Sequence, residues 1–558
     1  MRKAKPSNPM LYAGINAKVP FLAPDTITKV IPSPVDGLDA ISPLAEMDPK
    51  RAPILVNWVP RPGYVELRGG YQFYGIVITA DPVETLMVYR SAIIEKMFAA
   101  SGSAIYDASA GGSSFPSVVT GLTSARWQYT NFTNTGDTSV IQCVNGSDQL
   151  HQYDGSSWTT PSITGLPGGT TAGIIGIYAQ KNRLWYIMNE SQQVAFMPVG
   201  ANTGAIAGTL NFGQLWSMGG YLMAMADWTI DGGNGPQDYA AFISSRGQIT
   251  LYAGTDPTNA SAWSLVGTFA VAPPIGRRCF TSVGSDVAII TLAGVLPISQ
   301  VLPFDPSADR STALTARIQN ALAVAAAQAQ NNFGWQLITF PAQQLVVLNV
   351  PLIENTSQQQ YVMNALTGAW CQFTGWNANC FEIFNENLYW GGNDGTVNQG
   401  YLGASDFANP IAADMQCAFN WLDEPGRVKR MTMIQPLLNV SGNVTPTLAV
   451  DTDFMTSTAT APLSTIQGGA LWDVALWDVS VWPTQQVNYI SWLSVDAIGH
   501  ALAVRLRVNV ASPVSPGYGI FDVSRFDSGF FDITNSDPNI PLLQVNAFNS
   551  ISELGGAI

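Results

Sequence analysis

The chain has 558 residues, of which only 11% are charged, whereas roughly 25% is usual for a soluble domain. Its formal net charge is −14, which disfavours tight non-specific binding of nucleic acid because a phosphate backbone is repelled wherever cations are not concentrated. With two histidines in the whole chain, His151 and His500, it lacks the material for a metal site built on several histidines and for most histidine-dependent hydrolase mechanisms.

The N-terminal segment MRKAKPSNPMLYAG is basic but contains no apolar stretch, and Pro6 and Pro9 interrupt it. It does not resemble a secretory signal, so we expect the protein to be made and kept in a cytoplasm. No apolar run reaches the roughly 18 residues that would predict a membrane-spanning helix. The cysteines are odd in number and lack C-x-x-C spacing, which predicts reduced core residues rather than disulfides or a zinc site.

A strand–turn–strand pattern recurs along the middle of the chain and predicts a mostly β fold. The units are spaced 43 to 58 residues apart, and they begin at Lys96, Ser139, Asn182, Asp238, Asp286, Gln344 and Asn387. Blades of β-propellers recur every 40–50 residues or so and bury their faces against one another. We therefore predict an irregular β-propeller. Two β-sandwiches built from unrelated hairpins are the alternative.

The patterns on either side of these units differ from the repeat. We assign residues 1–95 to an N-terminal segment that partly joins a second domain, 96–403 to the propeller, and 404–558 to a C-terminal platform domain and tail. Strands after residue 403 are longer, as in RMTMIQPLLNVSG, and they predict a β-sandwich-like platform. The fold class is therefore all-β.

One stretch, near residues 311–330, has a helical pattern. Ser311 or Thr312 is a suitable N-cap, and Leu314, Ile318 and Leu322 lie on one helix face. We expect an inserted helix that packs on the propeller or against a neighbouring subunit.

Two segments near the C-terminus place aromatic residues five positions apart, a spacing that matches neither a helix face nor a strand face. They predict turns with aromatic plugs, and ligand stacking is the alternative. The residues are Trp472, Trp477 and Trp482, and Phe521, Phe526 and Phe531.

Catalytic and cofactor motifs are missing from the sequence. There is no G-x-S-x-G elbow, and both histidines lie in contexts typical of structural residues. The GGNGPQD segment from Gly232 lacks the Lys and Ser/Thr of a phosphate loop, and Asp394 in GGNDGTV favours a solvated turn over a cation site. We therefore predict no enzymatic activity, no cofactor and no metal.

Two basic groups are the candidate site residues. Neither is interleaved with aromatic side chains that would form a stacking platform for nucleic acid, so we predict subunit-contact positions paired with carboxylates. The residues are Arg277 and Arg278 in the first group, and Arg427, Lys429 and Arg430 in the second.

Five strings, in order along the chain, resemble the tail nozzle proteins of short-tailed bacteriophages, also called tail tubular protein B. The resemblance covers roughly residues 50–510, and the C-terminus from about Gly517 is not part of it. The strings are NWVPRPGYVELRGGY (57–71), KMFAASGSAIYD (96–107), SSRGQITLYAGTDPTNASAWSLVGTF (244–269) with PPIGRR (273–278), SADRSTALTARIQNA (307–321) and LYWGGNDGTVNQ (388–399).

The resemblance implies a structural protein of the virion tail, without enzymatic activity, that is assembled in the host bacterial cytoplasm. Six copies are implied to form a homo-hexameric ring below the portal and adaptor proteins, each with one propeller. The implied partners are the portal-adaptor proteins, tail fibre or needle proteins, and the double-stranded DNA that passes through the ring. The ring would line the channel for genome ejection and help to retain the packaged DNA.

The composition agrees with this implication. Duplex DNA carries one negative charge per ~1.7 Å, so cationic contacts repeated around a ring would slow its passage. Interfaces are depleted in charge and enriched in aromatic residues, as this chain is. We predict an acidic or neutral channel wall, with the five basic residues at subunit or adaptor interfaces.

Two other function classes remain open. A carbohydrate-binding or depolymerase component of a phage tail would have at least two acids with perturbed pKa values on inner blade strands, in one pocket. A tail-fibre or receptor-binding protein would have fibrous repeats, which this sequence lacks.

Overall fold

A computed structural model describes residues 25–231, 236–284, 286–301, 313–403, 405–407, 409–440, 446–455, 461–462, 487–509 and 543–557. The predictions at Gly232 and Ser311 and those for the two aromatic segments fall outside these residues. Strands dominate the described chain, which confirms the all-β class. The first four strands are β1 (Thr26–Pro32), β2 (Ile54–Val56), β3 (Trp58–Arg61) and β4 (Tyr64–Leu67).

The middle of the chain forms an irregular β-propeller, as predicted. One strand, β5 (Tyr71–Ile76), precedes the first complete blade. Blade 1 comprises β6 (Val83–Arg90), β7 (Glu95–Ser101), β8 (Ala104–Asp107) and β9 (Ser117–Thr120); blade 2 comprises β10 (Gln128–Thr133), β11 (Ser139–Val144), β12 (His151–Tyr153) and β13 (Trp158–Thr159).

Blade 3 follows a short strand, β14 (Ile163–Thr164), that pairs in parallel with another short strand, β18. The strands of this part are β15 (Ile174–Gln180), β16 (Arg183–Met188), β17 (Gln193–Phe196), β18 (Gly204–Ala205) and β19 (Gly208–Asn211), of which all but β18 form blade 3. Blade 4 comprises β20 (Leu222–Asp231), β21 (Pro236–Ser244), β22 (Gln248–Gly254) and β23 (Trp263–Ala270).

Blade 5 has three strands, β24 (Phe280–Val283), β25 (Asp286–Thr291) and β26 (Gly294–Pro297), and two helices follow it, α1 (Ile298–Val301) and α2 (Gln319–Ala329). A four-stranded meander comes next, with β27 (Gln336–Phe340), β28 (Leu345–Ile353), β29 (Ser357–Asn364) and β30 (Trp370–Phe373). Blade 6 contains β31 (Ala378–Phe384), β32 (Asn387–Gly392) and β33 (Thr396–Gly400), and β5 is its fourth strand.

The ring is closed by a strand from the N-terminal side. β5 pairs antiparallel with β33, so that Tyr71 lies opposite Gly400 and Ile76 opposite Thr396. The meander fills the position between blades 5 and 6, because β27 contacts both β24 and β31. Each of the seven predicted hairpins is observed, either as the second and third strands of a blade or as β28 and β29 of the meander. β5 and β6 also belong to blades, although they precede residue 96.

The second strands of the blades are largely buried on both faces because each blade is covered by its two neighbours. All six residues of β16, Arg183 to Met188, are buried. Its aromatic side chains pack between blades, and the Trp185 ring lies 5.1 Å from Phe196 and 5.8 Å from Phe242 of blade 4. Continuous apolar runs in these strands are therefore expected, since neither face meets water.

The platform is built from two sheets and is β-sandwich-like. Its later strands are β34 (Ala412–Gln416), β35 (Arg427–Val440), β36 (Pro446–Thr452), β37 (Ala461–Pro462), β38 (Val487–Tyr489), β39 (Leu493–Gly499), β40 (Leu502–Asn509) and β41 (Leu543–Ala557). One sheet has the order β3-β4-β41-β35-β38, with β1 added to β41 and β39 added to β35. The other has the order β27-β28-β29-β30-β2-β34-β40-β36-β37, so the propeller meander and the platform share one sheet.

A single apolar core joins the two platform sheets and the meander. Ile434 of β35, Leu506 of β40 and Val347 of β28 are fully buried members of the same cluster. This shared core makes the platform and the propeller one packed body rather than two linked units.

The inserted helix is shorter than predicted. α2 begins at Gln319, because the preceding residues hydrogen-bond to blade 5 instead: the Leu314 N–H donates to the Val295 carbonyl, and the Thr315 hydroxyl accepts from the Val295 N–H. The helix buries Leu322 and Ala326 against the propeller. Its last turn is held by the Trp335 indole, which donates to the Ala329 carbonyl at 2.8 Å.

Candidate functional site

A cavity of about 190 Å³ lies on the propeller axis. Its wall is made by the first strands of blades 1, 2, 3, 5 and 6 and of the meander, together with the turn that carries Arg277 and Arg278. The first strand of each blade is the one nearest the axis, so the side chains it directs inward converge on this space. The sequence analysis predicted that the two arginines contact another subunit, and this stays a prediction; within a single chain, both lie on the wall of this cavity.

Arg278 is held by neutral acceptors. Its Nη2 donates to the Thr85 hydroxyl at 2.8 Å, to the Trp127 carbonyl at 3.1 Å and, at 3.5 Å, to the Glu84 carbonyl. The guanidinium carbon lies 5.1 Å from the centre of the Phe333 ring. Burial lowers the pKa of Arg278. No carboxylate in the described part of the chain lies within 4.0 Å of it, so the expected carboxylate partner is absent there.

Arg277 reaches the same cavity from the preceding position. Its Nη1 makes a long hydrogen bond of 3.4 Å to the Asn145 carbonyl. Like Arg278, it has no ion-pair partner among the described carboxylates, and burial lowers its pKa. Two arginines adjacent in the chain therefore line one cavity, and no described carboxylate lies within 4.0 Å of either guanidinium group.

Glu382 supplies the one carboxylate of the described cavity wall. It hydrogen-bonds to the Tyr129 hydroxyl, and its Oε1 lies 3.7 Å from Nη2 of Arg90. Burial raises the pKa of Glu382 and also that of Tyr129. The sequence analysis did not single out this residue. The signal available was an acid in the apolar strand CFEIF, since acidic side chains are rarely buried without a partner.

The second predicted basic group lies at one end of the platform. Lys429 is fully buried, and its amine donates to the carbonyls of Glu424, Arg427 and His500 at 2.6, 2.8 and 2.6 Å. Burial lowers the pKa of this amine. The prediction that Lys429 contacts another subunit is therefore wrong, because three carbonyls of its own chain enclose the ammonium group.

The other two members of that group are closer to the surface. The half-exposed Arg430 has its Nε 2.8 Å from Asp496 and its Nη1 3.9 Å from Glu553. Arg427 donates to the Gly555 carbonyl at 3.0 Å and has its Nη2 4.0 Å from Asp25. Both are thus paired within the chain, at the end of strand β35.

The solvent-facing side of the β35 sheet carries apolar residues, and we name it the outer platform face. It comprises Thr28, Val30, Arg430, Met433, Ile498 and Ile551, which lie in cross-strand rows: Thr28 opposite Ile551 and Ile551 opposite Met433, and Ile498 opposite Arg430. Val30 is 63% and Ile498 58% exposed. Val30 lies opposite Asn549 and Ile498 opposite Arg430, so the exposed apolar side chains of this face alternate with polar ones. Exposed apolar side chains rimmed by polar residues are typical of a contact surface.

The histidines and Asp394 have ordinary surroundings. His151 lies 5.6 Å from the Trp127 ring, and burial lowers its pKa. His500 is at the platform, with its Nδ1 3.9 Å from Asp453. Asp394 is exposed and accepts a hydrogen bond from the Thr396 hydroxyl at 2.6 Å, as expected for a turn.

No group of three or more His, Cys, Asp or Glu side chains within the described ranges is arranged to hold a metal ion. In the same part of the chain, no helix has the length and apolar character needed to cross a membrane.

Comparisons with known proteins give no family for this chain. No family model matches it, and no curated protein matches it. Among solved structures, it is similar to BBS1N from a complex with ARL6DN, with 11% identity over 61% of this chain and 97% of that chain and a TM-score of 0.36. It is also similar to Raptor of Chaetomium thermophilum, with 9% identity over 60% of this chain and 30% of that chain and a TM-score of 0.36. A third structure, a putative 6-phosphogluconolactonase from Bacteroides uniformis, shares 11% identity over 59% of this chain and 90% of that chain, with a TM-score of 0.31.

Proposed function

We propose that the protein is a structural subunit of the tail nozzle of a short-tailed bacteriophage, in which six copies form a ring below the portal and adaptor and surround the path of the ejected genome. The five resembling strings support this proposal through their order and their positions. Residues 57–71 run from the platform strands β3 and β4 into the closing strand β5, and residues 388–399 form most of the two strands that β5 completes.

The observation that carries the proposal is the outer platform face. Burying apolar side chains stabilises an interface by about 25 cal/mol per Å², and exposed Val30 and Ile498 provide such area. Arg430 with Asp496 and Glu553 forms a charged rim at one end of the face. An apolar centre with a polar rim is the usual composition of a subunit contact. We assign a second copy of this chain to this face.

In such a ring, DNA would pass through the central channel that the subunits surround, and not through the individual propellers. The axial cavity has a volume of about 190 Å³. A DNA duplex cannot enter a space of this volume, since the duplex is wider than its own major groove, which is about 12 Å wide. A net charge of −14 per subunit supports a channel wall that does not hold the phosphates.

The alternative, a propeller that binds or cleaves tail-associated glycans, finds less support. Hydrolysis of a glycosidic bond ordinarily uses a pair of carboxyl groups flanking it. Among the described residues that line the axial cavity, Glu382 is the one carboxylate. A second acid would be needed for the depolymerase mechanism.

The test is the assembly state of the purified full-length chain, by light scattering and negative-stain electron microscopy. We expect a six-fold ring with a central hole and a mass about six times 59.7 kDa. A protein that stays monomeric at every concentration, or that forms a trimer, would contradict the proposal. Glycan hydrolysis that is lost in Glu382→Gln would favour the alternative.

Two variants locate the contact. Val30→Glu and Ile498→Glu each place a charge on the outer platform face, and we expect both to shift the ring toward monomers. Leu366→Glu is the matched control, because Leu366 is 66% exposed on the turn between β29 and β30, away from that face. Rings that persist in the first two variants, or that dissociate equally in all three, would argue against this interface.

A further inference from the structure

The arginines of this chain are almost all paired with carboxylates. Eleven of the fourteen described arginines lie within 4.0 Å of a described acid. The three without such a partner are Arg246, Arg277 and Arg278. Arg246 and Arg277 are exposed to solvent and Arg278 is partly exposed; Arg277 and Arg278 are adjacent in the chain and both line the axial cavity, whereas Arg246 is not part of its wall.

The hydrogen bonds of the two cavity arginines leave several donors available. Nη2 makes every described hydrogen bond of Arg278, so its Nε and Nη1 have no described acceptor. Arg277 uses only Nη1, in the long bond to the Asn145 carbonyl, which leaves its Nε and Nη2. The Phe333 ring beneath Arg278 limits the orientation of its guanidinium plane. The pair therefore presents unused N–H groups to this open cavity.

The electrostatics of the cavity call for an anion. A cleft lined by charges of one sign attracts counter-ions, and two arginines without an ion pair line this one. Glu382 attracts Arg278 electrostatically but forms an ion pair with neither cavity arginine, because it lies beyond 4.0 Å from both and the Tyr129 hydroxyl and Arg90 engage its carboxylate.

We propose that the axial cavity of the propeller is a binding site for a small oxyanion of the phosphate type, held by the unused N–H groups of Arg277 and Arg278. Guanidinium groups bind such oxyanions through paired N–H donors, and these charge-assisted bonds are about twice as strong as neutral ones. The volume also suits this ligand: a cavity of about 150 Å³ holds benzene, and this one is slightly larger. The site is independent of ring formation, since one chain supplies all of it.

The phosphate could come from the solution or from the end of a nucleic acid, and the test separates these sources. Full-length protein is titrated by calorimetry with inorganic phosphate and, separately, with a 5′-phosphorylated single-stranded oligonucleotide. Binding of inorganic phosphate alone identifies the free ion as the ligand. Binding of both probes, each lost in the same variant, identifies a phosphate group that a nucleic-acid end also supplies. Binding of neither overturns the proposal.

The variants are Arg277→Gln and Arg278→Gln, with Arg246→Gln as the matched control that removes an arginine without an ion pair outside the cavity. We expect each cavity variant to weaken phosphate binding at least tenfold and the control to bind as wild type does. Arg277→Gln keeps the test decisive if Arg278→Gln fails to fold, because Arg277 makes only one long hydrogen bond. Equal binding by wild type and Arg277→Gln, or equal weakening in the control, would overturn the assignment.

Discussion

Arg68 and Asp406, 338 positions apart in the chain, form a buried bidentate ion pair, with Nη1 2.8 Å from Oδ1 and Nη2 2.6 Å from Oδ2. The Arg68 Nε also donates to the Asn57 side chain at 2.8 Å, and the guanidinium lies 5.2 Å from the Trp376 ring centre. Arg68 follows platform strand β4, and Asp406 follows the last blade. The pair therefore fixes the platform to the point where the propeller ring closes.

Removing the arginine should destabilise the whole fold. Arg68→Ala leaves the Asp406 carboxylate buried without its partner, and breaking a buried pair in this way costs about 3–5 kcal/mol. We expect the midpoint of urea unfolding, followed by tryptophan fluorescence, to fall accordingly. Arg430→Ala, which removes an exposed ion pair, should leave the midpoint unchanged. Equal midpoints for wild type and Arg68→Ala would refute the structural role of the pair.

Gly70 lies at the same junction, where neighbouring backbone leaves no room for a side chain. A Cβ built at Gly70 would lie 1.9 Å from the Ser405 carbonyl oxygen, which is backbone and cannot rotate away. We expect Gly70→Ala to lower the free energy of unfolding by at least about 1–3 kcal/mol, the usual cost of overpacking. Gly426→Ala is the control, since nothing lies within 4 Å of its added Cβ. Similar thermal midpoints for both variants would contradict this close approach.

Glu382 should make stability depend on pH in a defined direction. Burial raises its pKa in the folded state above the usual 4.5, so the unfolded chain ionises first as the pH rises. Glu382→Gln should match wild type below pH 4.5 and become the more stable of the two as the pH rises through the folded pKa. Asp154→Asn should behave oppositely, because hydrogen bonds from Ser157 and Ser156 lower the pKa of Asp154. Urea unfolding from pH 2 to 7 tests both, since the Asp154 contribution is lost only as the pH falls below 3.8. A pH-independent difference for Glu382→Gln would exclude the shift.

The five cysteines should be inert in the folded protein. All are free and buried, and burial raises the pKa of Cys279, Cys380 and Cys417 to about 12. The reactive thiolate is therefore nearly absent at pH 8. A thiol reagent such as DTNB should label none of the five in native protein and all five in urea. Rapid labelling of one cysteine in the native protein would show that its thiol is accessible to solvent and would contradict the prediction.

Local sequence pattern was enough to predict the repeating unit. Each hairpin needs only apolar alternation in two neighbouring strands and a turn residue between them, as in the hairpin that begins at Asn182 and forms β16 and β17. The same reasoning predicted buried cysteines and a helix after blade 5. The start of that helix was missed because Leu314 and Thr315 bond to Val295, about twenty residues earlier, and helix propensity carries no information about that partner.

The burial and the hydrogen-bond partners of the charged residues depended on contacts that no local pattern reveals. Lys429 looked like a surface cation, yet two carbonyls at the turn before β35 and one in the turn between β39 and β40 enclose it. Arg278 looked like part of a surface pair, yet the axis of the ring brings Thr85 and Trp127 to it from positions more than 150 residues away. A buried cation requires several acceptors at once, and only folding assembles them.

The sequence by itself thus determined the class of fold, the hairpin repeat and the presence of a second β domain, because alternation, turn residues and composition act over a few neighbouring positions. The tertiary structure decided how the ring closes, which sheet the platform and the meander share, and where the axial cavity lies. Pairing of β5 with β33 joins segments more than 300 residues apart, and β2 inserts between β30 and β34 across a similar distance. Such pairings are selected by the burial of the whole core, a property of the assembled chain that no single segment encodes.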